Sequence, residues 1–235
     1  MPSVASSLLL ALGQLAEPRV LWILAKSLAV TVVLVAAIAW GGWYAIDALL
    51  DWGGLDEGRF AGAGWLREAA SVALTLVGLW LVWRIVAMAV IGFFADEVVL
   101  AVEARHYPEA AARARDLPLR EQFTTTLKSV WRAVAVNAIA LPFALLLLVT
   151  GVGTALVFFV ANTALVGREL EDMVWLRHRR DAADPSPVPR GERLMLGGAV
   201  TALLSLPFVN LIAPILGAAA ATHLIHRKDI PRDAA

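Results

Sequence analysis

The sequence predicts an all-α integral membrane protein: two long transmembrane helices plus two re-entrant, hemi-penetrating helical hairpins. Composition predicts the bilayer. The 235 residues are 60% hydrophobic and 17% charged with a mean hydropathy of +0.72, where soluble domains run to roughly 45–50% apolar and about 25% charged. The lengths of four apolar runs predict the helices, and the placement of arginine predicts the sidedness. The 20 basic and 20 acidic residues cancel, which removes the positive excess expected of a nucleic-acid binder. With no cysteine there is no disulfide framework and no thiolate chemistry. So apolar a chain could not stay solvated as a disordered one.

The chain reads as a single membrane domain, residues 1–235, whose segments follow in order. Residues 1–18 are expected to form a short helix on the membrane interface, started by Ser6 or Ser7 and ended or restarted by Pro18. Leu8 to Leu12 resembles a signal-peptide core, but no Lys or Arg precedes it. Residues 27–46 carry no charge between Lys26 and Asp47. That is about 20 residues, enough to cross a hydrocarbon core of ~30 Å, with Trp40, Trp43 and Tyr44 where an aromatic belt would lie. Residues 69–95 form a second span interrupted only by Arg84. Residues 133–167 and 194–225 differ from these. Asn137, Pro142, Gly151, Gly153 and Asn162 interrupt the first run, and Pro207, Asn210 and Pro214 the second. Each holds roughly 32–35 residues, whereas two crossings and a turn need roughly 44. Two arms of about 15 residues, some 22 Å each, enter the membrane without crossing it. Broken backbone at that depth must be satisfied by protein or a watery cavity. The paired hairpins hint at an internal repeat.

Charge sets the orientation. Residues 47–68 carry Asp47, Asp51, Asp56, Glu57 and Glu68 against Arg59 and Arg67. The segments 96–132 and 168–193 and the C-terminus are rich in arginine, so the positive-inside rule makes them cytoplasmic, with both termini. Both ends of each hairpin then lie on one side. Re-entrant pairs satisfy that, as would two short complete crossings per hairpin.

Enzyme motifs are missing. There is no H-E-x-x-H, G-x-S-x-G or Walker A sequence, so no enzyme activity, cofactor or metal is expected. His223 and His226 stand at i, i+3 with no acid or third ligand near them in sequence, and His106 and His178 fall in cytoplasmic segments. Arg84 is the sharpest residue. A charge inside a span costs at least ~2.5–3.5 kcal/mol and must face a partner or a wet path, so it reads either as an anion ligand or as half of a structural pair. The turns at Gly151 and Gly153 and at Asn210 are where broken helices would aim backbone N–H groups at an anion, or where Gly and Pro simply make a tight turn. Asn137, Asn162 and Asn210 are expected to bond between helices. Asp96, Glu97 and Glu103 are expected to pair with Arg105, Arg168 or Arg177, and Arg168 with Glu169 to form a structural ion-pair node.

Three motifs carry a family resemblance. Phe93-Phe94-Ala95-Asp96-Glu97-Val98 with Val102-Glu103 and His106-Tyr107-Pro108 resembles the segment after the second span in the CysZ and etoposide-induced-protein family. Asn162, Leu165-Val166-Gly167-Arg168-Glu169 and Arg177 resemble its pattern after the first hairpin. Pro207 to Pro214 with His223 resembles its second hairpin. The resemblance runs from about residue 15 to residue 228. It implies an inner-membrane permease that takes up sulfate or a related oxyanion for cysteine synthesis, assembled as a homo-oligomer, dimer or higher. It also implies an anion site before the first span, where a Gly-Leu-Arg stretch is read here as Glu17-Pro18-Arg19. Arg19 is retained, beside an acidic neighbour that should weaken anion binding. The alternatives are a non-transporting membrane scaffold and a lipid-interacting protein.

Overall fold

The computed structural model describes residues 3–52, 69, 72–73, 78, 94–181, 184–206 and 209–229, and every regular element among them is helical. The chain divides into two compact units, Leu24–Phe93 and the remainder, Met1–Ile23 with Phe94–Ala235. The unit 24–93 holds most of α2 (Pro18–Trp52), a helix of 35 residues, far more than a bilayer core of ~30 Å requires. Pro18 starts it at the position where a missing N–H costs nothing. Within it the Ser27 and Thr31 hydroxyls donate back to the carbonyls of Leu24 and Ser27, both at 2.8 Å, so neither polar group is left bare in an apolar segment. Trp40 and Tyr44 are exposed and meet edge to face at 6.1 Å. The predicted second span, 69–95, lies almost wholly outside the described residues, and Arg84 with it.

The larger unit begins with α1 (Val4–Gln14). Ser3, rather than Ser6 or Ser7, caps it: the Ser3 hydroxyl accepts from Ser6 N at 3.2 Å while Ser3 N donates to the Ser6 hydroxyl at 3.1 Å. This reciprocal box satisfies two otherwise orphaned groups and so fixes the start earlier than expected. α1 buries Val4, Ser7, Ala11 and Gln14 while the larger Leu9, Leu10 and Leu12 face outward. A soluble helix would turn its leucines inward.

Residues 94–106 are helical (α3), followed by α4 (Pro108–Arg113), α5 (Leu119–Leu146) and α6 (Gly153–His178). The α5–α6 hairpin turns through a 3₁₀ segment, Leu148–Thr150, and Gly151 at φ +74°. Thr154 Oγ1 donates across the hairpin to Ala144 O at 2.7 Å. The tip is apolar and open: Leu148, Val149 and Val152 are 62%, 92% and 75% exposed. Both helices run beyond the uncharged stretch 133–167 into arginine-rich turns, so the uncharged part of each arm is about 14–15 residues, ~22 Å. α5 and α2 are the two described helices long and apolar enough to cross a membrane. Asn137 and Asn162 depart from expectation. Each amide donates to the carbonyl four residues back in its own helix, Ala133 and Phe158, at 2.8 Å, because that acceptor is always within reach and needs no partner helix.

The second hairpin pairs α7 (Arg190–Leu204, 15 residues) with α8 (Ala213–Asp229, 17 residues), close to the arm length read from the sequence. α8 is buried on all sides from Ala213 to His226 apart from Pro214, against α1, α6 and α7. α6 and α7 cross at glycine: a Cβ on Gly197 would stand 2.8 Å from Gly167 Cα, so only small residues allow the approach.

Candidate functional site

One face of α3 is buried, and Ala95, Val98, Val99 and Val102 form it. Glu103 lies on that face and is fully buried, where an ionised carboxylate must be paired and bonded. Its partners come from two other helices. Oε1 accepts from Nε2 of His178, the last residue of α6, at 2.8 Å, and from Nε2 of His226 in the last turn of α8 at 3.1 Å. Oε2 accepts from Arg177 Nη1 at 3.2 Å. Burial opposes ionisation, but the hydrogen bonds from His178 and His226 and the charges of His178 and Arg177 together outweigh it and hold the Glu103 pKa at about 2.

Tyr107, just past α3, extends the cluster. Burial, against the pull of Arg227, raises its pKa, so the phenol stays protonated, and its hydroxyl lies 2.7 Å from His223 Nδ1. The Tyr107 ring packs on His226 at 4.9 Å between centroids, and the His178 ring meets His226 edge-on at 4.7 Å. His106 sits at the rim, 5.5 Å from the His223 ring, with Nε2 3.7 Å from Glu17 Oε1. The chain has four histidines, and all of them meet here.

The expectation that no acid or third ligand stands near His223 and His226 is therefore overturned. The acid is Glu103, 123 residues before His226, and the third group is His178. Packing of α3, α6 and α8 brings together what sequence spacing keeps apart. Composition held two hints: a lone acid on an apolar helical face, and two histidines in an alanine-rich helix that has no exposed side. Tyr107, His178, His223 and His226 are the residues of the cluster that sequence spacing does not reveal.

The remaining predicted residues separate. Arg168 does not pair with Glu169. It reaches Asp172 at 3.1 Å and Glu171 at 3.3 Å, while Arg132 of α5 takes Glu169 at 3.1 Å and Asp172 at 3.2 Å. Arg193 of α7 holds Glu171 at 2.8 Å. Adjacent residues point to different sides of a helix, which is why Arg168 finds acids at i+3 and i+4 instead. Asp96 and Arg177 help line a cleft of about 510 Å³ between α3, α5 and α6, whose walls mix apolar and polar side chains. Arg105 pairs with Glu17 at 3.2 Å, so the acidic neighbour of Arg19 is already engaged. Arg19 is exposed and lines a cleft of about 200 Å³ with Glu17, Val20, Ala101 and Arg105. Gly151 and Gly153 lie in the apolar hairpin tip, where Gly153 N donates to Thr150 Oγ1 at 2.8 Å. Asn210 is exposed in a 3₁₀ turn, Val209–Leu211. Arg84, Pro207 and Phe208 lie outside the described residues.

The family described as Sulfate transporter CysZ/Etoposide-induced protein 2.4 matches residues 7–214, which takes in every element from α1 to the start of α8. The chain belongs to this family. Comparison with curated proteins and with solved structures gave no match. Membership of the CysZ/etoposide-induced family, with two membrane-capable helices among the described residues, makes this a membrane protein and supports a role in transport.

Proposed function

We propose that the chain is an inner-membrane permease that takes up sulfate or a related oxyanion, supplying sulfur for cysteine synthesis. The observation that carries the reading is the family match over residues 7–214. Physical features support it. The open apolar tip of the α5–α6 hairpin and the outward leucines of α1 suit lipid. The arms of α7 and α8, 15 and 17 residues, give ~22–26 Å, short of a full core, and suit re-entrant hairpins. The arginine content of segments 96–132 and 168–193 supports a cytoplasmic side for them and for both termini. With no Walker A sequence, flux runs down a gradient or is coupled to another ion. The path is assigned to Arg84 in the second span; separately, Arg19 and Arg105 line a cleft beside the Glu17 carboxylate, and guanidinium groups of this kind can replace the hydration of a dianion. A homo-oligomer in the bilayer surrounds that path.

The test is sulfate-dependent growth and radiolabelled sulfate uptake in cells lacking their own sulfate uptake, with wild type, Arg84→Ala and Arg19→Ala expressed to equal membrane levels. Wild type restores uptake and Arg84→Ala lowers it by at least about tenfold. Wild type at the level of empty vector, in correctly inserted protein, refutes sulfate uptake and favours the scaffold or lipid-binding alternatives.

A further inference from the structure

We propose that Glu103, His178 and His226 bind one divalent transition-metal ion of the zinc class, which ties α3, α6 and α8 together. The inference stands on its own geometry, whether or not the chain moves sulfate. One ligand atom from each residue lies within 4.8 Å of the other two. The carboxylate Oε1 already sits 2.8 Å and 3.1 Å from the two imidazole Nε2 atoms. A tetrahedral ion with metal–ligand distances of about 2.0–2.2 Å spaces its ligand atoms about 3.3 Å apart, so the carboxylate would ease away from each imidazole by a few tenths of an ångström, and the two Nε2 atoms, within 4.8 Å of each other, would settle around the ion.

The donor set selects the ion. Two imidazole nitrogens and one carboxylate suit zinc and its neighbours, whereas magnesium and calcium need more oxygen ligands than these residues offer. The cysteine-free chain has no thiolate to compete. Burial completes the case: the three side chains are 1%, 7% and 5% exposed, and each stands on a different helix, so the ligand positions are set by packing.

Surrounding groups behave as an outer shell. Arg177 donates to Oε2, the carboxylate oxygen turned away from the imidazoles, which leaves Oε1 to coordinate alone. The rings of Tyr107 and His178 flank His226 and fix its plane. A water fills the fourth position. An ion here displaces the protons that both Nε2 atoms donate to Oε1, so binding weakens as pH falls. Close by, the buried Nε2 of His223 has no hydrogen-bond partner among the described residues, although its ring is held by Tyr107.

The experiment uses full-length, tag-free protein in detergent, stripped with chelator and titrated with Co²⁺ as a spectroscopic probe, then with Zn²⁺ in competition. One Co²⁺ per chain is expected, with the ligand-field absorption of a four-coordinate ion. His178→Gln and His226→Gln each weaken binding on the order of 100-fold or more, and His106→Gln at the rim leaves it unchanged. X-ray absorption of the zinc-loaded wild type, which needs no variant to fold, should show two imidazoles in the first shell. Failure of the wild type to bind stoichiometrically, equal binding by the His178 and His226 variants, or a first shell of oxygens alone would overturn the proposal and leave the cluster an ion-pair hub.

Discussion

Substitution of Glu103 is the perturbation whose cost the structure fixes best. Three donors, His178, His226 and Arg177, converge on one fully buried carboxylate. Glu103→Ala removes all three acceptor contacts and leaves Arg177, 21% exposed, facing a site without its counter-charge. Breaking a buried pair from one side costs about 3–5 kcal/mol. Glu103→Gln keeps the shape. Its amide oxygen can still accept from Arg177, and its NH₂ can donate to an imidazole that moves its proton to Nδ1, so the cost falls to the charge-assisted part, about 1.5–3 kcal/mol. For a chain of this length each kcal/mol moves Tm by about 2–4 °C. Glu103→Ala should therefore lower Tm by roughly 6–20 °C and Glu103→Gln by roughly 3–12 °C. The assay is thermal unfolding in detergent followed by tryptophan fluorescence, with chelator present so that bound metal does not contribute. Exposed Glu109→Gln, in the first turn of α4, serves as the control and stays within about 0.5 kcal/mol. A Glu103→Ala protein that melts with wild type would refute the hub as the contact that holds α3, α6 and α8 together.

Three further outcomes follow. Because the folded pKa of Glu103 is depressed from 4.5 to about 2, its contribution is fully present above pH 4.5 and is lost as pH falls towards 2; the Tm gap between wild type and Glu103→Gln should be constant at neutral pH and close across that window, and a gap that widens on acidification contradicts the assignment. Neighbouring glycines of α7 should respond in opposite directions: Gly197→Ala drives a Cβ to 2.8 Å from Gly167 Cα and costs about 1–3 kcal/mol, whereas Gly198→Ala meets only Thr163 Cγ2 at 3.5 Å and gains up to about 1 kcal/mol of helix propensity, both read as Tm. In a chain free of cysteine, Val149→Cys at the hairpin tip should resist a membrane-impermeant maleimide from either side, while exposed Glu109→Cys labels from the cytoplasmic side only; labelling of position 149 from outside would mean that the hairpin crosses.

The all-helical character and the first span were legible because apolar run length acts locally, whereas the second predicted span, 69–95, lies almost wholly outside the described residues. The 15-residue α7 and the 17-residue α8 match a run too long for one helix and broken at its centre by Pro207, Asn210 and Pro214. What run length does not record is helix that continues through charged sequence. α5 starts at Leu119 and α6 ends at His178, well outside the apolar stretch 133–167, because Arg132, Arg168, Glu169 and Asp172 satisfy one another across the hairpin. The Glu103–Arg177 pairing followed from charge and position. The histidines did not, since His178 and His226 reach Glu103 over 75 and 123 residues and nothing in local spacing encodes which helices will be neighbours. Asn137 and Asn162 misled for a related reason: an amide in an apolar run implies a need for a partner, and the nearest partner was the helix itself.

Flux through the purified protein decides whether this chain moves sulfate. Wild type reconstituted into liposomes, with inserted protein verified and empty liposomes alongside, is given radiolabelled sulfate outside. Sulfate entry above the empty vesicles is expected, reduced by excess unlabelled sulfate and lost in Arg84→Ala. Entry equal to that of empty vesicles, from folded and inserted protein, would contradict that expectation.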